Sequence, residues 1–125
     1  MKLRLHGDSI RLRLSPEEVQ QLAQGGSVCE TTHVGAGSSF SYRLCSAGQI
    51  DRVCAAFVGG ELSVTGPAAV IDEWAATDQV GISARVELSE GRALHILIEK
   101  DFQCLDRTKH QAGEVLYPHP AAGTQ

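Results

Sequence analysis

The sequence predicts an α+β protein, a mostly antiparallel eight-stranded curved sheet or closed barrel assembled from two ββαββ halves with two short helices outside. Three features carry this prediction. Apolar and polar residues alternate in short runs bounded by glycine-containing turns, two segments that open on proline have helical apolar spacing, and the order hairpin, helix, hairpin occurs twice along 125 residues. That length suits one domain, which buries roughly two thirds of its unfolded surface. The expected organisation is a single domain over residues 1–105, with pseudo-repeats 1–48 and 49–99, and an extended C-terminal tail over 106–125.

The first element is the clearest. Met1-Lys-Leu-Arg-Leu-His-Gly-Asp-Ser-Ile-Arg-Leu-Arg-Leu14 alternates apolar and polar residues, broken once at Gly7-Asp8, and so predicts a hairpin. Side chains alternate across a strand, so Leu3, Leu5, Ile10, Leu12 and Leu14 should face a core, with Lys2, Arg4, Arg11 and Arg13 opposite. Ser15-Pro16-Glu17-Glu18 then starts a helix, with Ser15 as N-cap, Pro16 at the first helical position and Glu18 completing a capping box. Gly25-Gly26 ends it. Ser27–Thr32 and Ser39–Cys45 read as strands around the loop 33–38. Ile50–Val58 and Glu61–Thr65 form a second hairpin at Gly59-Gly60, and Pro67 opens a helix through Val70, Ile71 and Trp74. Val80–Leu88 and Arg92–Ile98 complete the set. Strand parity places Ile10, Leu12, Val28, Phe40, Tyr42, Leu62, Val64, Ile82, Val86, Leu94, Ile96 and Ile98 beneath the helices.

Composition excludes several classes. The apolar content is 42%, the charged content 21% and the net charge −4, with no apolar run approaching the ~20 residues of a membrane span. No secretory leader is evident at Met1, so the expected compartment is the cytoplasm, with no membrane partner. Cys29, Cys45, Cys54 and Cys104 form no Cys-x-x-Cys pair and read as reduced structural thiols. Residues 1–13 carry four basic side chains and one acid, although the whole chain is acidic; any polyanion binding is therefore local, and nucleic acid is a less favoured partner than a small anion.

The polar side of the sheet is the candidate site. Lys2, Arg4, Arg11, Arg13, Arg43 and Arg85 share it with Glu61, Glu87, His95 and Glu99, and guanidinium forks at period two on adjacent strands offer paired donors to phosphate or carboxylate. In a closed barrel these groups would point into a tunnel; on an open sheet they would face water and pair with acids across strands. Glu87 and Glu99, of like parity on neighbouring strands, would jointly hold a divalent cation that bridges to phosphate. Cys29 with His33, and Cys104 with His110, have zinc-ligand chemistry but no second close pair. No Gly-x-Ser-x-Gly is present, Gly35-Ala36-Gly37-Ser38-Ser39 lacks the lysine and helix of a phosphate loop, and His95 reads as a core-edge histidine. The leading functional expectation is a binding module for a small phosphorylated or carboxylated anion. The alternatives are a dimeric DNA-binding regulator that uses the same hairpin, and a structural or protein-interaction domain.

Three resemblances add to this reading. The segments MKLRLHGDSIRLRLSPEEVQQL and HILIEKDFQCL resemble a small bacterial family of uncharacterised proteins, a domain of unknown function spanning nearly the whole chain. The layout of eight antiparallel strands in two related halves with charged inward faces is similar to the triphosphate tunnel superfamily of adenylate cyclases and thiamine triphosphatases. That resemblance implies phosphoanion binding by the basic pairs with Glu87 and Glu99, although Lys2-Leu3-Arg4-Leu5 stands where the superfamily has Glu-x-Glu-x-Lys. Over about thirty residues, Gly7-Asp8-Ser9 through Pro16 to Val28 resembles the swapped-hairpin family of antitoxins and transition-state regulators. This implies dimeric DNA binding through phosphate contacts from Lys2, Arg4, Arg11 and Arg13.

Overall fold

A computed structural model describes residues 1–102; the segment expected as a tail, together with Cys104, Leu105 and His110, lies outside the described residues. The elements follow in the order β1 (Lys2–His6), β2 (Ser9–Leu14), α1 (Pro16–Ala23), β3 (Ser27–Gly35), β4 (Ser38–Ala47), β5 (Cys54–Val58), β6 (Glu61–Pro67), α2 (Ala68–Ala76), β7 (Gly81–Glu87) and β8 (Ala93–Lys100), with a 3-10 turn at Ser89–Gly91 before β8. Each predicted hairpin and helix is present. The strand expected from Ile50 begins only at Cys54, because residues 48–53 carry the chain past β6 to its far side.

The strands make two four-stranded mixed sheets, not one curved sheet and not a closed barrel. Sheet A has the order β1-β2-β8-β7 and sheet B the order β3-β4-β6-β5. The first and last hairpins therefore meet, joined by a parallel pairing of β2 with β8 that sets Ile10 opposite Ile96 and Leu12 opposite Ile98. The two central hairpins join in the same way, with Tyr42 of β4 opposite Leu62 of β6 and Leu44 opposite Val64. The turns fix the hairpins locally, but nothing local fixes which hairpins become neighbours. Sequence alternation therefore points to antiparallel pairs and misses the two parallel seams. With no seam between β1 and β7 or between β3 and β5, neither sheet closes among the described residues, and the tunnel expected from a closed barrel does not form.

The helices close the core. Ser15 Oγ accepts from the Glu18 amide at 3.3 Å while Glu18 Oε1 accepts from the Ser15 amide at 2.9 Å, the reciprocal pair that stabilises the first turn of α1. Val19 and Leu22 of α1 and Ile71 and Trp74 of α2 are buried together with Leu12, Leu14, Leu44, Val64, Ile96 and Ile98. The helices touch each other, and each touches strands of both sheets, so they bridge A to B. Trp74 is fully buried with its indole N–H donating to the Val80 carbonyl at 2.9 Å, which satisfies the one polar atom of that side chain. A further tie runs from the Met1 amino group to the Glu18 and Glu30 carboxylates, the latter at 2.9 Å. Leu5 has the parity expected of a core residue yet is 57% exposed, because it sits at the end of β1 beyond the reach of the helices. No described helix is long and apolar enough to cross a membrane.

Candidate functional site

Because the core face of sheet A takes every second residue, the remaining residues stand together on its outer face. The register sorts them into three rows across the four strands in the order β1, β2, β8, β7. The rows are Lys2–Arg13–Glu99–Gly81, Arg4–Arg11–Leu97–Ser83 and His6–Ser9–His95–Arg85. Arg85, Lys2, Arg4, Arg11 and Arg13 are thus brought to one surface, whereas Arg43 lies on β4 of sheet B and does not meet them. This surface faces solvent, not the interior. The strands place five basic side chains on it against two carboxylates, Glu87 and Glu99, so it is positively charged although the chain as a whole is not.

Most of these charges are already neutralised. Arg11 Nε and Nη2 donate to Glu99 Oε1 and Oε2 at 2.9 and 3.3 Å, and Arg13 Nε donates to the same Oε1 at 3.1 Å. The Arg11 hydrogen bond is the largest influence on Glu99 and holds its carboxyl below the usual 4.5, with burial opposing and Arg13 assisting. Lys2 Nζ lies 3.1 Å from Asp101, and Arg85 donates to Glu87 at 2.7 Å, which lowers the Glu87 pKa. On sheet B, Arg43 donates to Glu61 at 2.6 Å, and each moves the other's pKa toward its charged form.

Arg4 is the exception. It stands directly opposite Arg11, yet no described residue pairs with it or accepts a hydrogen bond from it. Like charges directly opposite on an antiparallel pair are destabilising unless a counter-charge intervenes. Here Glu99 serves only the Arg11 side. Arg4 borders an open depression of about 500 Å³ with Arg11, His6, Ser9, His95, Ser83 and Leu97 along its lining. The backbone supports this rim, since the His95 amide donates to the Asp8 carbonyl at 2.9 Å and ties the β1–β2 turn to β8. Of these residues, the sequence itself points to Arg4, Arg11 and His95 on the polar side. His6, Ser9, Ser83 and Leu97 carry no motif of their own, although the parity of β1 and β2 alone places His6 and Ser9 beside the arginines. His95, which strand parity puts on the polar side and which reads as a core-edge histidine, lies on this outer face and is exposed.

The expected metal sites do not assemble. Glu99 lies opposite Gly81 and Glu87 opposite Ala93, so the two carboxylates occupy opposite ends of the β7–β8 pair, about 20 Å apart at roughly 3.3 Å per residue. Each is held by arginine instead. Cys29 and His33 are four residues apart along β3, about 13 Å by the same rise, too far to share one ion. Among the described residues, no group of three or more His, Cys, Asp or Glu side chains is placed to hold a metal. Cys29, Cys45 and Cys54 are free thiols on the outer face of sheet B, and burial raises the pKa of Cys45.

Fold and surface together define an α+β protein that offers an open cationic sheet face without a metal cluster among the described residues. The chain belongs to a family of unknown function, DUF7009, whose model matches residues 1–121. No curated protein and no solved structure matches it.

Proposed function

We propose that this protein is a binding module for a small phosphorylated or carboxylated anion, which docks on the outer face of sheet A between Arg4 and Arg11. The observation that carries this reading is the uncompensated Arg4, directly opposite a second guanidinium and on the rim of an open depression. An anion bridging the two forks removes a repulsion built into the hairpin and gains charge-assisted hydrogen bonds. Ser9, Ser83 and the two imidazoles add donors around it, and Leu97 provides an apolar floor.

The experiment is a thermal-shift titration of wild type and Arg4→Gln with inorganic phosphate, pyrophosphate and citrate, against chloride at matched ionic strength. A ligand at 100 times its dissociation constant adds about 2.7 kcal/mol of stability. Stabilisation of the wild type that Arg4→Gln abolishes is the expected result. No response to any of the three anions, or an equal response in the variant, overturns the proposal. Retention on duplex DNA that falls steeply with salt and is lost in Arg4→Gln would assign the same face to a nucleic-acid backbone instead.

A further inference from the structure

Among the described residues the two sheets leave four edges unpaired, β1 and β7 in sheet A and β3 and β5 in sheet B. Three of them are guarded by charge: Lys2 and Arg4 on β1, Arg85 and Glu87 on β7, and Glu30 on β3. The fourth, β5, reads Cys54-Ala-Ala-Phe-Val58 and carries no charge at all. Its two largest side chains are turned out to solvent, Phe57 at 62% and Val58 at 75% exposure.

The backbone shows which groups this edge presents. Gly59 and Gly60, at φ 59° and 78°, close a two-residue turn of the type that requires both central residues in the left-handed region. Val58 and Glu61 are then the hydrogen-bonded pair next to the turn, and alternation makes Ala56–Ser63 and Cys54–Thr65 the next such pairs. The N–H and C=O groups of Ala55 and Phe57 therefore point away from β6, toward the open edge.

We propose that β5 is the docking edge for a second copy of this chain, pairing antiparallel with its own counterpart about a two-fold axis at Ala56. In that register Ala55 lies opposite the partner's Phe57 and exchanges two backbone hydrogen bonds with it, and the symmetry repeats the exchange. The side chains are self-complementary, since each large Phe57 meets a small Ala55 on the face it shares with Phe40, whose ring centroid lies 6.0 Å from its own. Along the paired strands no charge meets a like charge, and the flanking Arg52 comes beside the partner's uncharged Gly59-Gly60 turn. Parallel pairing of the same edge would lose the match of Phe57 to Ala55. Five residues per strand make a small interface, below the roughly 1,200 Å² of standard complexes, so the dimer dissociates in the micromolar range.

Sedimentation velocity on the full chain from about 1 to 300 μM spans the range expected of an interface this small. It should show a monomer–dimer equilibrium. Val58→Lys restores a charged edge and should raise the dissociation constant at least about tenfold, while Val34→Lys, at the end of β3 and likewise exposed, should leave it unchanged. In a Cys54→Ser background, Ala56→Cys should form a disulfide between copies on mild oxidation, because residues on the axis face each other as a non-hydrogen-bonded pair. This second arm decides the matter should Val58→Lys fail to fold. A chain that is monomeric at every concentration overturns the proposal, and so does a dimer indifferent to Val58→Lys, or an Ala56→Cys chain that does not cross-link.

Discussion

Replacing Glu99 by Gln removes one carboxylate that serves two arginines, and its cost follows from the geometry. Hydrogen bonds to charged groups contribute about 1.5–3 kcal/mol each when well shielded. The Glu99 side chain is 15% exposed, but Arg11 and Arg13 are exposed to 34% and 33%, so solvent screening brings each pair down to about 1 kcal/mol or less. A further few tenths of a kcal/mol come from Arg4, which then faces Arg11 with no counter-charge between them. The expected loss is about 1–2 kcal/mol, a fall in Tm of about 4–16 °C for a domain of this size. Urea denaturation at pH 7 and low salt measures it, with an unchanged slope. The pH dependence gives a second test. Because Arg11 holds the folded-state pKa of Glu99 below 4.5, its contribution is fully present above that value and disappears as the pH falls through the folded pKa. Wild type and variant should therefore converge in acid. Equal stability at pH 7, or curves that stay parallel below pH 4.5, would refute the reasoning.

Two further substitutions test the scaffold. Ser15→Ala removes the bond that Ser15 Oγ accepts from the Glu18 amide, leaving only the backbone half of the capping box of α1, and should cost about 1 kcal/mol, read as a lower urea midpoint. Gly66→Ala places a Cβ 3.1 Å from Cδ1 and 3.3 Å from Cγ1 of the fully buried Ile71; the crowding outweighs the entropy gained in the unfolded chain and should cost about 1 kcal/mol by the same assay.

What the sequence reveals here is governed by distance along the chain. Period-two alternation is a local property, so Ile10, Leu12, Val28, Leu62, Val64, Ile82, Ile96 and Ile98 are placed correctly on the buried side. The capping box of α1 is equally local. Alternation states which face a side chain takes but not how far the cover extends, and so Leu5 shares the core parity of Leu3 without sharing its burial. It is silent on neighbours. The pairing of β2 with β8 joins Arg11 to a carboxylate 88 residues away, and no turn or spacing announces that contact. For the same reason the acids that neutralise Lys2, Arg11 and Arg13 are invisible in the first fourteen residues, which read as a uniformly basic ribbon.

Glu99 also shows what the outer face of sheet A can hold. Its two oxygens sit 2.9 to 3.3 Å from three guanidinium nitrogens of Arg11 and Arg13, a planar, forked anion captured by donors on alternate residues of one strand. Arg11 is the common member of two pairs, joined to Glu99 on the neighbouring β8 and set opposite Arg4 across the hairpin. The first pair is satisfied from within the chain. The second is not, and its unsatisfied member lies on the side toward His6, Ser9 and His95, where the surface is hollow. A carboxylate or phosphate from solution would repeat there the arrangement Glu99 makes with Arg11 and Arg13. In Glu99→Gln the internal competitor is gone, and both forks of Arg11 become available. Phosphate should then stabilise that variant more than it stabilises the wild type, and a smaller response would mean that Arg4 and Arg11 do not share an anion.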